Sequence, residues 1–512
     1  MTRSCPIGTL AGMLERRAAA AVALASLVGL AAQLLFFRQP LGLNTLLVTL
    51  LFLGVAWTQR DSAVPIRARD AWLPASALTF AASCAVRADE PLLAFDALAA
   101  IGCVAASVAA WSGVPVSALP VAGLLAEGRS LAGRAILGAA DLLPPTWLRL
   151  RVVPKRFSGA SGYVGGVGLA APFVVLFALL FSSADAVFAR SLENIFDLKR
   201  IADVLSETPG RLVIALAVAW PAAGALAALW RVPRDYLTTR RGSLLAVETA
   251  TVALIFVAAL FAVFVALQIA YLFGGRDTMD AAAVTYSTYA RRGFFELIGA
   301  VTLVGALLFG LELVVRRRGR AYLGAALTLL ALTAVVLASA WYRLDLYQQA
   351  YGWTELRFYA TTAIAFLALA LVILAWSVLR GRVSYALQPL GKAVVFVAIA
   401  ANALGPAAFV ARANIARVLD PSGLPADAER TLDTDHLVTL GGGALVELVD
   451  AYPRLPPSQR LRAEIALRAE LSRRDEDRAS DWQGWNLERE RARVALVRAR
   501  DELLRRSRDE RG

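Results

Sequence analysis

Four carboxylates fall inside long apolar stretches of this chain: Asp96, Glu248, Glu296 and Glu312. A charge in hydrocarbon costs a few kcal/mol or more, so each of them needs a partner or a purpose. Glu312 stands four residues before Arg316 and Glu296 four after Arg292, spacings that bring each to a basic partner one helical turn away. Glu248 follows Arg240-Arg241 and reads the same way. Asp96 has no basic residue on its own helix. Three readings stand for it: a partner from another span such as Asn44 or Gln268, a water-filled cavity, or a place near the headgroups behind Pro91.

A second group collects at the expected outer helix ends: Asp185, Arg190, Tyr286, Tyr289, Arg291, Arg292, Tyr347, Tyr351, Trp353, Glu355 and Arg357. The guanidinium forks of Arg291, Arg292 and Arg357 suit an anionic or lipid-like ligand, with Asp185 or Glu355 as acid or base. The same residue types also make an interfacial aromatic belt with Arg–carboxylate ties between loops. Convergence of Asp185, Arg291, Arg292 and Arg357 to within about 12 Å, the reach of two Arg forks on a small anion, would separate the readings.

Other chemistry is sparsely represented. One His and three Cys (Cys5, Cys84, Cys103) leave no Cys/His zinc site and no disulfide scaffold. His436 beside Asp433 and Asp435 reads as a solvated or capping cluster. The run Gly162 to Gly168 lacks the preceding strand and following Lys of a phosphate loop and suits close helix packing, with Gly162, Gly166 and Ala170 on one face. No Ser-His-Asp set can be built inside the membrane portion and no nucleotide fingerprint is present, so the chain reads as more a non-enzymatic protein than an enzyme, without a cofactor.

The elements that must position these groups are membrane helices. Hydrophobic residues make up 58% of 512, with mean hydropathy +0.58, more than one soluble core needs. About eleven apolar spans are expected, near 18–37, 41–57, 71–86, 91–111, 164–184, 212–230, 246–273, 295–315, 321–341, 358–379 and 393–410. The first continues through Leu34-Leu35-Phe36-Phe37, too long for a signal segment, and reads as a retained helix. The expected class is all-α: a polytopic helical bundle with a helical extramembrane region. It divides into N-terminal membrane helices at 1–111, a basic cytoplasmic loop at 112–163, the main bundle at 164–410 and a charged helical region at 411–512.

Charge placement sets the orientation. The stretch 411–512 holds 19 Arg and 19 Asp plus Glu, so the net +13 resides in the membrane portion rather than in a nucleic-acid-binding surface. Before residue 411, the N-terminus and every second loop, beginning with the one after the second span, carry 23 Lys and Arg against 11 in the others. The compact Arg316-Arg317-Arg318-Gly319-Arg320 turn points the same way. The positive-inside rule then places the N-terminus in the cytoplasm and the C-terminal region outside. The basic run Arg149 to Arg156 either lies against anionic headgroups or acts only as a topology determinant. Near the C-terminus, Trp485, Arg489, Ala492, Leu496, Ala499 and Leu503 form one helical stripe, expected to pack on Leu461, Ile465 or outer loops while Arg493 and Arg500 stay exposed. A coiled-coil dimer is the weaker reading, because only about three heptads exist and Arg489 interrupts them.

Several phrases go beyond composition. They are Ala171-Pro172-Phe173 with Phe181 to Phe188, Tyr286 to Leu297, Leu346 to Arg357, and Asp481-Trp482-Gln483-Gly484-Trp485-Asn486. Their order resembles a bacterial multi-pass membrane family of unknown function, the DUF4173 type related to DUF4153, over roughly Leu35 to Leu503. The resemblance implies an integral membrane protein and carries no established activity. Together these readings describe a bacterial inner-membrane component of envelope assembly or signalling; a small-molecule or lipid transporter comes second and a lipid-modifying enzyme third. The bilayer is the expected partner, with a further membrane protein or a second copy as candidates and no nucleic acid.

Overall fold

The computed structural model describes residues 7–137, 207–230, 246–273, 294–315, 319–422, 424–425, 430–476 and 482–509. All regular structure among these residues is helical. In order they form α1 Ile7–Phe36, α2 Leu43–Gln59, α3 Trp72–Val86, α4 Glu90–Trp111, α5 Val121–Leu137, α6 Glu207–Ala228, α7 Val247–Phe273 and α8 Phe294–Val314. There follow α9 Arg320–Tyr351, α10 Glu355–Leu379, α11 Leu387–Leu404, α12 Pro406–Leu419, α13 Thr434–Thr439, α14 Gly442–Ala451, α15 Pro457–Glu476 and α16 Leu487–Asp509.

Among the described residues seven helices are long and apolar enough to cross a membrane, and those over Leu43–Gln59 and Ile298–Leu311 are shorter but apolar. Their outward faces carry large apolar side chains: Phe256 is 73%, Leu303 70% and Phe396 68% exposed. Water would penalise that area at about 25 cal/mol per Å², whereas lipid accepts it. Ten of the eleven expected spans fall on helices; the one at 164–184 lies outside the described residues, as do Arg149 to Arg156, Gly162 to Gly168 and Arg316 to Arg318.

Two spans differ from expectation. The apolar run expected to cross at 393–410 is broken at Gly405, so the membrane helix is Leu387–Leu404 and α12 starts afresh at Pro406. Helix α9 runs on past 341 to Tyr351. Its 32 residues extend for roughly 48 Å at 1.5 Å per residue, well beyond a hydrocarbon layer of about 30 Å. The polar Arg343, Asp345, Gln348 and Gln349 fill the excess.

The chain clusters into two units, Met1–Arg38 with Ala132–Arg231, and Gln39–Leu131 with Val232–Gly512. In the first, α1 packs on α6 through small residues, with Ala21, Ala25 and Ala32 buried on one helix and Ala215, Ala222 and Ala223 on the other, which lets the helix axes approach closely. In the second, α7 to α10 share a core around Leu254, Leu308, Leu329 and Leu374. A smaller apolar cluster, Phe80, Ala81, Ala100 and Ala398, joins α3, α4 and α11.

A further core runs from α10 and α11 (Phe358, Ala401) into α12 to α16, including Leu445, Leu448, Leu467, Leu496 and Leu503. On α16, Ala492, Leu496, Ala499 and Leu503 are buried in the expected register, with Arg493 and Arg500 exposed; of the other two stripe residues, Trp485 precedes the helix and is 40% exposed and Arg489 is half-buried. On α15 the same core holds Ala463, Ala466, Leu467 and Leu471, while Leu461 and Ile465 lie on another face, 47% and 57% exposed. The main neighbour of α16 is α14, whose Gly442 lies against the Glu488 carbonyl and the Ala492 side chain.

Candidate functional site

Helices α3 and α4 are joined by the short turn Arg87-Ala88-Asp89, and this turn makes buried polar contacts with α11, α12 and α16. Arg87 Nε donates to the carbonyl of Asn402 at 2.6 Å and Nη2 to that of Ala403 at 3.0 Å. Those carbonyls belong to the last turn of α11, which has no intrahelical donors for them and carries partial negative charge. Two residues on, Asp89 Oδ1 accepts from the Ala407 amide at 3.1 Å, in the first turn of α12 where the helix dipole is positive. A cation and an anion thus cap the two sides of one helix break.

The break itself requires Gly405. Its φ is +67°, and a Cβ there would meet Arg87 Nη1 at 2.5 Å. Any other side chain would be strained by the backbone and would displace the guanidinium.

Helix α16 docks on the same turn. Asn486 caps it, with Oδ1 accepting from the amides of Glu488 at 3.0 Å and Arg489 at 3.2 Å. The Nδ2 group of the same side chain donates to the carbonyls of Cys84 at 2.9 Å and Arg87 at 2.6 Å, at the end of α3. One amide therefore satisfies the start of one helix and the end of another. Glu488 Oε2 accepts from the Ala88 amide at 2.8 Å and Oε1 lies 3.6 Å from Arg87 Nη1. Gly443 on α14 leaves the space for the Glu488 carboxylate, which a Cβ at that position would strike. Before the cap, the Leu43 amide donates to the Trp485 carbonyl at 3.0 Å and Arg489 donates to the Leu41 carbonyl, so the Trp482 to Asn486 phrase sits on the start of α2.

A parallel tie holds the α9–α10 turn. Asn414 of α12 accepts from the Trp353 amide at 2.8 Å and donates to the Trp353 carbonyl at 2.7 Å. Arg417 donates to the carbonyls of Gln348, Gln349 and Ala350 at the end of α9. Trp353 packs edge-on against Phe409 with ring centroids 4.8 Å apart.

The residues singled out from sequence are distributed as follows. Arg357 lies in the first turn of α10, donates to the carbonyls of Tyr351 and Gly352, and stacks 4.2 Å from the Tyr347 ring centroid, so it secures its own turn. Glu355 opens α10, half-buried. Asp185, Arg291 and Arg292 lie outside the described residues, so their convergence with Arg357 does too. Asp96 is fully buried, and among the described residues Asn402 is its hydrogen-bond partner, with Nδ2 donating to Asp96 Oδ1 at 3.0 Å, while the side chain of Gln268 lies outside the described residues. Asn44 instead closes the turn before α2, accepting from the Gly42 and Thr45 amides. Glu248 is exposed in the first turn of α7, the side chains of Glu296 and Glu312 lie outside the described residues, and Asp433 caps α13 by accepting from the His436 amide at 3.0 Å.

Sequence reading missed Asp89, Arg87, Asn402, Gly405 and Glu488 as a set. The signals were present but weak: Asp89-Glu90-Pro91 as a helix start, Gly405-Pro406 as a stop and restart, and Asn486-Leu487-Glu488 as a capped start.

Asp89, just outside the α4 span, is 3% exposed, and its Oδ2 has no hydrogen-bond partner. Burial, with the Glu488 carboxylate adding to it, pushes its carboxyl up to about 7. For an acid whose folded pKa exceeds its unfolded one, stability is greatest at low pH and falls as pH rises from the ordinary carboxylate range towards 7. Thermal unfolding of the purified protein should therefore show a decline over that window, and Asp89→Asn should flatten it; an unchanged slope in that variant would place the dependence elsewhere.

These features define an all-helical, multi-pass membrane class of protein in which one helix after the membrane helices is clamped to their turns. Residues 74–451 match the family described as "Domain of unknown function (DUF4153)", and the chain belongs to that family. This is one of the two related families suggested by the sequence phrases, and the match is shorter than the expected stretch from Leu35 to Leu503. Arg87, Asp89, Asp96, Asn402, Gly405 and Gly443 lie within the matched residues, and Asn486 and Glu488 beyond them. No curated protein and no solved structure matches the chain.

Proposed function

We propose that this is a non-enzymatic component of the bacterial cytoplasmic membrane that serves envelope assembly or signalling. In this reading about eleven helices span the bilayer, and the region from 411 onward is an extracytoplasmic helical platform. The observation that carries the reading is the clamp on α16. Asn486, Glu488 and Arg489 bond to the turn before α2 and to the α3–α4 turn, and Arg87 of that turn is shared with α11. A charged helical region tied to several membrane-helix ends transmits a displacement of one to the other, which is what a receptor or an assembly factor requires.

The orientation draws support from the opposite helix ends. There Arg60 covers Trp57 at 4.3 Å, Arg380 covers Trp376 at 4.4 Å and Lys392 lies 5.7 Å from Trp72, a basic and aromatic interface suited to the cytoplasmic leaflet. Alkaline phosphatase fused after Gly512 should be active and fused after Gly319 inactive. Activity at both, or the reverse pattern, would overturn the orientation and the span count together.

A transporter is the second reading, favoured by one observation: Asp96 is a carboxylate buried between α4 and α11 in the membrane layer.

A further inference from the structure

Asp96 and Asn402 stand 306 positions apart in the chain and meet beside the apolar cluster of Phe80, Ala81, Ala100 and Ala398. Asp96 is 0% and Asn402 7% exposed. The Asn402 amide nitrogen donates both to Asp96 Oδ1 and to the Ala398 carbonyl, each at 3.0 Å, which closes one edge of an amide–carboxyl pair. Asp96 Oδ2 and Asn402 Oδ1 are likewise buried, and both lack a hydrogen-bond partner. A carboxylic acid O–H on Oδ2 turned towards the Asn402 amide oxygen would satisfy both atoms and give two hydrogen bonds, one in each direction.

Among the described residues, the neighbouring elements offer no competing cation. The titratable groups facing the pair are Cys84 on α3 and Tyr359 on α10, both within electrostatic reach of Asp96. Arg87, on the α3–α4 turn, is committed to the carbonyls of Asn402 and Ala403 and to Glu488 of α16. An ionised Asp96 would thus be a fully buried charge with a single neutral donor, a costly arrangement in an apolar layer.

We propose that Asp96 and Asn402 form a proton-binding site inside the membrane bundle, the proton resting on Asp96 Oδ2 and bonded to Asn402 Oδ1. Loading transfers a proton from hydronium at the polar end of the helices to the carboxylate. One O–H bond breaks on the donor, one forms on Oδ2, water is released, and nothing is oxidised or reduced. Asp89, the residue before α4, stands seven positions ahead of Asp96, with its own Oδ2 buried and without a partner. The Tyr359 hydroxyl, also buried and without a partner, is within electrostatic reach of both carboxyls. These two groups mark the path from the helix ends to the pair. The site stands independently of the α16 clamp and of the side of the membrane on which α16 lies.

The test is infrared spectroscopy of the full-length protein in lipid nanodiscs at neutral pH. The wild type should show the carbonyl band of a protonated carboxylic acid that Asp96→Asn lacks. An amide at position 96 keeps both hydrogen bonds to Asn402, so this variant should unfold at an unchanged temperature. Asp89→Asn should leave the band in place, and Asn402→Leu should move it to higher wavenumber because the carbonyl loses its donor. A folded Asp96→Asn protein with the wild-type spectrum would overturn the proposal, as would a band that does not move in Asn402→Leu. A band that appears only when sodium is withdrawn would also overturn it, making a metal cation the occupant.

Discussion

Asn486→Leu should release α16 from the membrane helices. The substitution removes the cap of α16, worth about 1 kcal/mol, and leaves the Cys84 and Arg87 carbonyls without their donor, at about 1–3 kcal/mol each. A loss on the order of 3–5 kcal/mol exceeds what one helix face retains easily. Tryptic cleavage at the exposed Arg491, Arg493 and Arg498 should become rapid in the variant and stay slow in the wild type. Asn486→Asp is the informative companion. It keeps an acceptor for the Glu488 and Arg489 amides but turns a carboxylate towards two carbonyls and Glu488, so it should be at least as damaging as Leu. If Asp is tolerated, the cap is what matters and the bridge to α3 contributes nothing.

Leu496→Asp should undo the packing of the same helix from its other side. Leu496 is 1% exposed in the core shared with Leu448, Leu467 and Leu503, and nothing basic is available within that apolar set. An unpaired carboxylate there costs several kcal/mol, enough to detach a small helical unit. Val497→Asp, one position on at a site 55% exposed, should leave both the thermal midpoint and the proteolysis rate near wild type. Equal cleavage of wild type and Leu496→Asp would mean that α16 is not held in solution as the structure shows it.

The contrast between these two positions shows what a sequence of this kind discloses. The α16 stripe is legible because its spacing is local: Ala492, Leu496, Ala499 and Leu503 declare a face within four turns. Hydropathy likewise marks most of the membrane helices. It fails at Gly405, where the apolar residues on either side hide a break that only backbone geometry and the Arg87 contact reveal. It also stops α9 short, because Arg343, Asp345, Gln348 and Gln349 score as a loop although they are compatible with a helix held from outside by Arg417. Asp96 stood out from its surroundings, but Asn402 did not. Pairing between distant helices leaves no local periodicity to read, and an Asn near the end of an apolar run has many ordinary uses. The aromatic phrase from Leu346 to Arg357 was distinctive for another reason: it closes the turn that α12 grips.

The contacts of the α3–α4 turn span very different distances along the chain. Arg87 and Asp89 wait for carbonyl and amide partners more than 300 residues later, and the Ala88 amide for a carboxylate 400 residues later. At about 5–20 residues per second, a ribosome needs roughly 20 seconds or more to deliver Glu488 after Ala88 has entered the membrane. During that interval a cation and an anion at the edge of the bilayer have only water and headgroups to satisfy them. Biogenesis is therefore ordered from outside in time: the early hairpin inserts unfinished, and the segment around Asn486 completes it. Nascent chains stalled before that segment should carry an open polar turn.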